Sequence, residues 1–127
     1  MIWLGAVTIV ALMEYLVLGL MVGNARQKYG VVAPATTGDP TFERYYRVHQ
    51  NTLEALVIFI PALWLFAFYA NRWAAVALGV AFIISRIFYA KGYLEDPAKR
   101  GTAASVTFGI NAILLIGSLI GLIVRAI

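Results

Sequence analysis

Four long apolar stretches divide this chain of 127 residues, and each is close to the length of a membrane-spanning helix. A helix needs about 20 mostly apolar residues to cross the hydrocarbon core of a bilayer. With 62% hydrophobic residues, the chain has more apolar surface than a soluble domain of this length can bury. We therefore predict an all-α integral membrane protein, a single domain over residues 1–127 that forms a four-helix bundle with up-down topology. The predicted spans are residues 2–23, 53–70, 73–90 and 102–124.

The connections between these stretches contain signals for helix ends. Asp39 followed by Pro40 is a favourable pair for the N-cap and first residue, and it predicts that the second helix begins before the bilayer. Asp96 followed by Pro97 predicts the start of the fourth helix in the same way. The connection at residues 71–72 is only long enough for a tight turn between antiparallel helices. The first stretch lacks the basic start of a signal peptide, so we keep it as a span.

The basic residues predict the orientation. Eight of the ten lie at or near the first and third connections, the other two being Arg72 and Arg125. The positive-inside rule then places those two connections in the cytoplasm. We expect a multi-pass protein of a bacterial inner membrane, with the endoplasmic reticulum as the alternative. Since the cations flank apolar spans, the net charge of +4 indicates anionic lipid headgroups and not nucleic acid.

A polar stripe enters the second span. Arg47, Asn51 and Glu54 are spaced i, i+4 and i+7, so they share one face of a helix that continues into apolar residues. A charge at the centre of a membrane helix costs roughly 2.5–3.5 kcal/mol on insertion scales. Such residues usually face a bundle interior, a wet cavity or each other. The stripe is therefore a candidate binding site.

The third helix has its own stripe of Arg86, Tyr89 and Tyr93 at i, i+3 and i+7. We expect Arg100 in the first turn of the fourth helix, where backbone dipoles already favour an anion. The chain has no cysteine, which excludes disulfides and a cysteine nucleophile, and a single histidine argues against a protein-held metal site. Any nucleophile is expected to come with the substrate.

Residues 42–54 resemble the second-helix signature of the MAPEG family, the membrane-associated proteins in eicosanoid and glutathione metabolism. This family includes microsomal glutathione transferases and the leukotriene and prostaglandin synthases. The resemblance extends over nearly the whole chain, through the four-span layout and further motifs at Thr36-Thr37-Gly38, Arg86 with Tyr89, Gly92-Tyr93 and Arg100. Gln27 departs from the leukotriene-synthase branch, which has a second arginine there.

The resemblance implies a homotrimer that binds glutathione as co-substrate in clefts between subunits, open to the cytoplasm. One subunit would contribute Arg47, Asn51, Glu54, Tyr89 and Tyr93. Its neighbour would contribute Arg26 and His49. Arg100 matches the arginine that the family uses to hold the glutathione thiolate.

The residue types suit that ligand. Glutathione has two carboxylates for Arg26 and Arg47, one ammonium for Glu54, and peptide groups for Asn51. Lowering a thiol pKa by about two units needs roughly 2.7 kcal/mol, and one charge at about 4 Å supplies about 4 kcal/mol at an effective dielectric near 20. We expect conjugation of glutathione to a hydrophobic electrophile that enters from the lipid. Peroxidase activity toward lipid hydroperoxides is a second expected reaction.

Other interpretations stay open at this point. The chain can be a non-catalytic MAPEG protein that binds lipid or a partner, or the stripe can seal a polar trimer core. Tyr89 and Tyr93 can be interfacial aromatics. Arg86 can touch the ligand directly, or it can form a structural ion pair with Glu54 or with another subunit. A small multidrug-resistance exporter would use Glu14, embedded in the first helix, to exchange protons for cationic drugs.

Overall fold

The computed structural model describes all 127 residues, and its regular structure is entirely helical. The helices are α1 (Ile2–Tyr29), α2 (Pro40–Tyr69), α3 (Arg72–Glu95) and α4 (Gly101–Ala126), with a short 3-10 helix (Pro97–Arg100) before α4. Four helical segments are long and apolar enough to span a membrane. The predicted all-α four-helix membrane bundle is therefore confirmed.

Polar caps explain where α2 and α3 begin. The Asp39 carboxylate accepts hydrogen bonds from the backbone N–H groups of Thr41 and Phe42, both at 2.9 Å. Asn71 caps α3 in the same way, because its side-chain oxygen accepts hydrogen bonds from the backbone N–H groups of Trp73 and Ala74. These bonds satisfy donors that have no partner inside the helix. The predicted starts of α2 at Pro40 and of α3 after a tight turn are correct.

The start of α4 differs from the prediction. The Asp96 carboxylate accepts from the N–H of Ala98 at 3.1 Å, and the Asp96 carbonyl accepts from the N–H of Lys99 at 2.9 Å. This i to i+3 bond closes a tighter turn than an α-helix, and regular α-helix begins only at Gly101. Arg100 therefore ends the 3-10 helix and occupies the N-cap position of α4, not its first turn.

The core lies in the middle of the bundle, where α2 makes close contacts with α3 and with α4. The rings of Phe59 and Phe82 stack with centroids 3.7 Å apart, joining α2 to α3. Gly121 of α4 lies directly against the backbone carbonyl of Tyr69 at the end of α2. A Cβ at position 121 would overlap that carbonyl, so this close approach requires glycine. Most large apolar side chains on the outer faces are exposed, as expected of surfaces in contact with lipid.

The bundle has two distinct ends. The long-loop end holds residues 30–39 and 96–100, together with the start of α2 and the end of α3. The hairpin end holds the turn at residues 70–71, the start of α3 and the end of α4. Most of the predicted site residues lie toward the long-loop end.

Candidate functional site

A polar groove opens between α2, α3 and the start of α4, with a volume of about 590 Å³. This volume is within the usual range for small-molecule sites, roughly 300–1,000 Å³. The lining contains three guanidinium groups, two phenols, one amide and one methyl group, and no acidic side chain. The lining residues are Arg47, Asn51, Arg86, Tyr89, Tyr93, Arg100 and Ala104. The groove is therefore built to accept a ligand with negative charge.

Two tyrosines of α3 form the floor of the polar groove. Tyr89 is 2% exposed and Tyr93 is also buried, with ring centroids 5.7 Å apart. The Asn51 side-chain amide donates a hydrogen bond of 2.6 Å to the Tyr89 hydroxyl, which joins α2 to α3 across the groove. Because both rings are packed inside the bundle, the alternative that they are interfacial aromatics facing the bilayer is wrong.

Arg86 lies beneath the tyrosines as a buried cation. It is 3% exposed, and one guanidinium N–H donates to the Thr52 hydroxyl at 2.7 Å. The centre of the guanidinium lies 4.0 Å from the Tyr89 ring centroid, a favourable cation–π distance. Glu54 is exposed and makes no ion pair with Arg86, so that predicted pairing is absent from the chain.

Arg100 and Arg47 lie at the rim of the groove, and both are exposed. The Arg100 guanidinium lies over the Tyr93 ring, with 5.6 Å between its central carbon and the ring centroid. No side chain caps the N-terminus of α4 at this point. The positive end of that helix and a free guanidinium are therefore close together at the mouth of the groove.

Three predicted site residues lie outside the polar groove. Arg26 donates a hydrogen bond of 2.6 Å to the Ala35 carbonyl and lies over the Phe42 ring. His49 faces α1, where its ring stacks on Tyr15 with centroids 4.3 Å apart. Glu54 is exposed and does not line the groove. Within one chain, the groove thus unites five of the eight predicted residues: Arg47, Asn51, Tyr89, Tyr93 and Arg100.

Two lining residues were not among the predicted site residues. Arg86 was placed on the α3 stripe with Tyr89 and Tyr93, but its role was left open between ligand contact and a structural ion pair. No sequence signal identified Ala104, because the pattern of an apolar helix does not distinguish an alanine that faces lipid from one that faces a groove. Its short side chain leaves space beside Arg100.

A second groove between α1 and α3 contains Glu14. It has a volume of about 480 Å³ and a mostly apolar lining, and Arg86 borders it as well as the polar groove. A cationic drug next to Glu14 would therefore meet a buried positive charge. This geometry disfavours the exporter interpretation.

Comparisons with known proteins agree on one family. The model of the MAPEG family matches residues 4–120. An uncharacterised protein of Synechocystis is 44% identical over 123 residues, covering 97% of this chain and 90% of that protein. Human microsomal glutathione S-transferase 2 is 43% identical over 117 residues, 91% of this chain and 80% of the human protein. Bovine leukotriene C4 synthase is 32% identical over 97 residues, 76% of this chain and 65% of the bovine protein.

Proposed function

Because the chain belongs to the MAPEG family, we propose that it is a membrane-bound glutathione transferase, which joins the glutathione sulfur to a hydrophobic electrophile. The observation that carries this proposal is the polar groove, which combines three arginines, an oriented amide and two buried phenols without any acidic side chain. Glutathione with an ionised thiol has a net charge of about −2, so its charge complements the lining.

Each polar side chain in and beside the groove binds a different group of glutathione. Arg47 at the rim binds a carboxylate through its planar fork of donors. Asn51, already oriented by its bond to Tyr89, offers the carbonyl oxygen of its side chain and its second N–H to a peptide group. Glu54 lies outside the groove, one helical turn beyond Asn51 along α2, and from that position it binds the ammonium group.

Arg100 stabilises the thiolate. A free thiol has a pKa of about 8.5, so only a few per cent is ionised at pH 7. The Arg100 guanidinium and the uncapped N-terminus of α4 favour the anion at the mouth of the groove. The thiolate then attacks an electrophilic carbon, a new C–S bond forms, and the leaving group departs with the electron pair of the broken bond. No general base is required, because the thiol proton passes to water before the attack.

The full site is proposed to need a homotrimer. Arg26 and His49 lie away from the groove of their own chain, and the resemblance to the family assigns them to a ligand bound at a neighbouring subunit. The electrophile reaches the thiolate from the lipid. The polar groove faces the cytoplasm, an orientation that the distribution of basic residues favours. The membrane is a bacterial inner membrane or that of the endoplasmic reticulum.

Titration of purified protein with glutathione, followed by an assay with chlorodinitrobenzene, tests this function. We expect binding below millimolar glutathione and formation of the thioether with release of chloride. Asn51→Ala should weaken binding about tenfold, because it removes one hydrogen-bonding side chain. Arg72→Gln at the hairpin end serves as a control and should not change binding. No binding at millimolar glutathione would reject the proposal.

The same titration separates the transferase from a non-catalytic relative. A protein that binds glutathione but never forms the thioether with a panel of electrophiles is a binding protein or scaffold. A lipid hydroperoxide in place of the electrophile measures the peroxidase reaction, in which two glutathiones are oxidised to the disulfide while the peroxide is reduced to an alcohol and water.

A further inference from the structure

The hairpin end of the bundle carries two arginines and no acidic side chain. Arg72 is the first residue of α3, and Arg125 lies in the last turn of α4. The six acidic residues of the chain lie mid-helix or toward the long-loop end: Glu14, Asp39, Glu43, Glu54, Glu95 and Asp96. Neither arginine forms an ion pair, since the single ion pair within the chain joins Lys99 to Glu95. No acidic side chain therefore balances the two arginines at the hairpin end.

Aromatic rings hold both guanidinium groups in place. Arg72 lies over the Trp73 ring at 5.4 Å, and Arg125 lies over the rings of Phe68 and Tyr69 at 5.6 and 5.8 Å. The rings of Phe68 and Tyr69 meet edge to face, with centroids 4.9 Å apart. Contact with a ring face orients a guanidinium but leaves its N–H donors free. Those donors suit the oxygens of a phosphate group.

An apolar groove begins beside these arginines. It has a volume of about 640 Å³, and Arg72 is at its margin with Pro61, Trp64, Leu65 and Phe68 along its length. From residue 61 to residue 69 the helix rises about 12 Å, because each residue adds about 1.5 Å. The groove thus follows the bilayer normal for part of a leaflet, as an acyl chain does.

We propose that the hairpin end binds an anionic phospholipid, with its phosphate on Arg72 and Arg125 and one acyl chain in the apolar groove. The charge of the two arginines selects an anionic headgroup over a zwitterionic one. A basic residue near a membrane surface contributes about fivefold to the binding of an anionic lipid. This site is independent of the polar groove, which lies at the opposite end of the bundle.

Tryptophan fluorescence provides a local probe. All three tryptophans lie in the half of the bundle near the hairpin end: Trp3, Trp64 and Trp73. The full chain is reconstituted in vesicles of phosphatidylcholine and phosphatidylglycerol, and one of the two lipids is brominated to quench the fluorescence. The ratio of quenching by the two lipids gives their relative affinity. We expect phosphatidylglycerol to bind preferentially to the wild-type protein.

Variants of the two arginines test whether these residues cause the preference for phosphatidylglycerol. Arg72→Gln should lower the preference about fivefold, and the double variant with Arg125→Gln about 25-fold if the two effects add. Lys91→Gln removes an exposed cation near the long-loop end and should leave the preference unchanged. An unchanged preference in the double variant would overturn the proposal, as would an equal fall in the Lys91 control. Displacement of the brominated lipid by millimolar inorganic phosphate would also overturn it, because the acyl chain would then contribute nothing.

Discussion

Replacing Tyr89 with phenylalanine removes one hydrogen bond of the polar groove and leaves the packing intact. The phenylalanine ring keeps its contacts with the Arg86 guanidinium and the Tyr93 ring. Only the hydroxyl that accepts from the Asn51 amide, at 2.6 Å, is lost. The substitution therefore measures what this bond contributes to the orientation of Asn51.

The expected magnitude follows from the exposure of the two partners. A hydrogen bond contributes about 1 kcal/mol net, and an unsatisfied buried donor costs about 1–3 kcal/mol. Tyr89 is buried, but Asn51 is only half-buried, so water can reach the amide that loses its acceptor. We expect a loss of about 1 kcal/mol in the free energy of unfolding. The dissociation constant of glutathione should rise about fivefold, because the amide is no longer held toward the ligand.

A double-mutant cycle with Asn51→Ala isolates the bond. Free energies of unfolding in mixed micelles and glutathione titrations are measured for both single variants and the double variant. We expect a coupling energy of about 1 kcal/mol in each of the two measurements. Tyr89→Phe should therefore change stability and glutathione affinity little once Asn51 is alanine. Tyr46→Phe, a half-buried tyrosine on α2 without a side-chain hydrogen bond, is the control and should have no effect. A coupling energy near zero in both measurements would refute this reasoning.

Two further substitutions test contacts between α2 and its neighbours, one beneath the polar groove and one at the hairpin end. Thr52→Val removes the hydroxyl that accepts from Arg86 with little change in shape, and it should cost about 1.5–3 kcal/mol in the free energy of unfolding, whereas Thr52→Ser should retain most of that stability. Gly121→Ala forces a methyl group against the Tyr69 carbonyl and should cost about 1–3 kcal/mol. Gly109→Ala, in open space on the same helix, should be neutral or slightly stabilising. Equal stabilities of the two alanine variants would contradict the close approach of α4 to α2.

The fold was largely predictable, because the bilayer sets a length that is easy to recognise in a sequence. Asp39 also marked its helix start correctly, since capping depends on local residues alone. The same signal at Asp96 was misleading because it indicates that a helical turn begins, without specifying whether i to i+3 or i to i+4 bonds follow. The 3-10 helix there places Arg100 at the boundary of α4.

The candidate site was predictable where helical spacing alone brings residues together. Arg47 and Asn51 are one turn apart on α2, and Tyr89 and Tyr93 are one turn apart on α3, so each pair shares a face. That the two faces meet depends on how the helices are rotated in the bundle, which spacing does not determine. The resemblance to a known family supplied that information.

Arg86 shows what spacing could not determine. An arginine in an apolar helix needs a polar partner, and Glu54 was an obvious choice by charge. The structure instead gives it a neutral hydroxyl on Thr52 and the face of Tyr89. Helical spacing places Tyr89 next to Arg86 on α3, whereas only the tertiary packing of α2 against α3 brings Thr52 to the guanidinium.

The ultraviolet absorbance of the thiolate in bound glutathione tests the central claim most directly. A thiol whose pKa is lowered by about two units from about 8.5 is about three quarters ionised at pH 7, against about 3% without the shift. We predict strong thiolate absorbance with the wild-type protein and with Lys99→Ala, in which the neighbouring cation is removed. Arg100→Ala should bind glutathione but lose the thiolate signal at pH 7. An unchanged thiolate signal in Arg100→Ala would contradict the proposed role of Arg100.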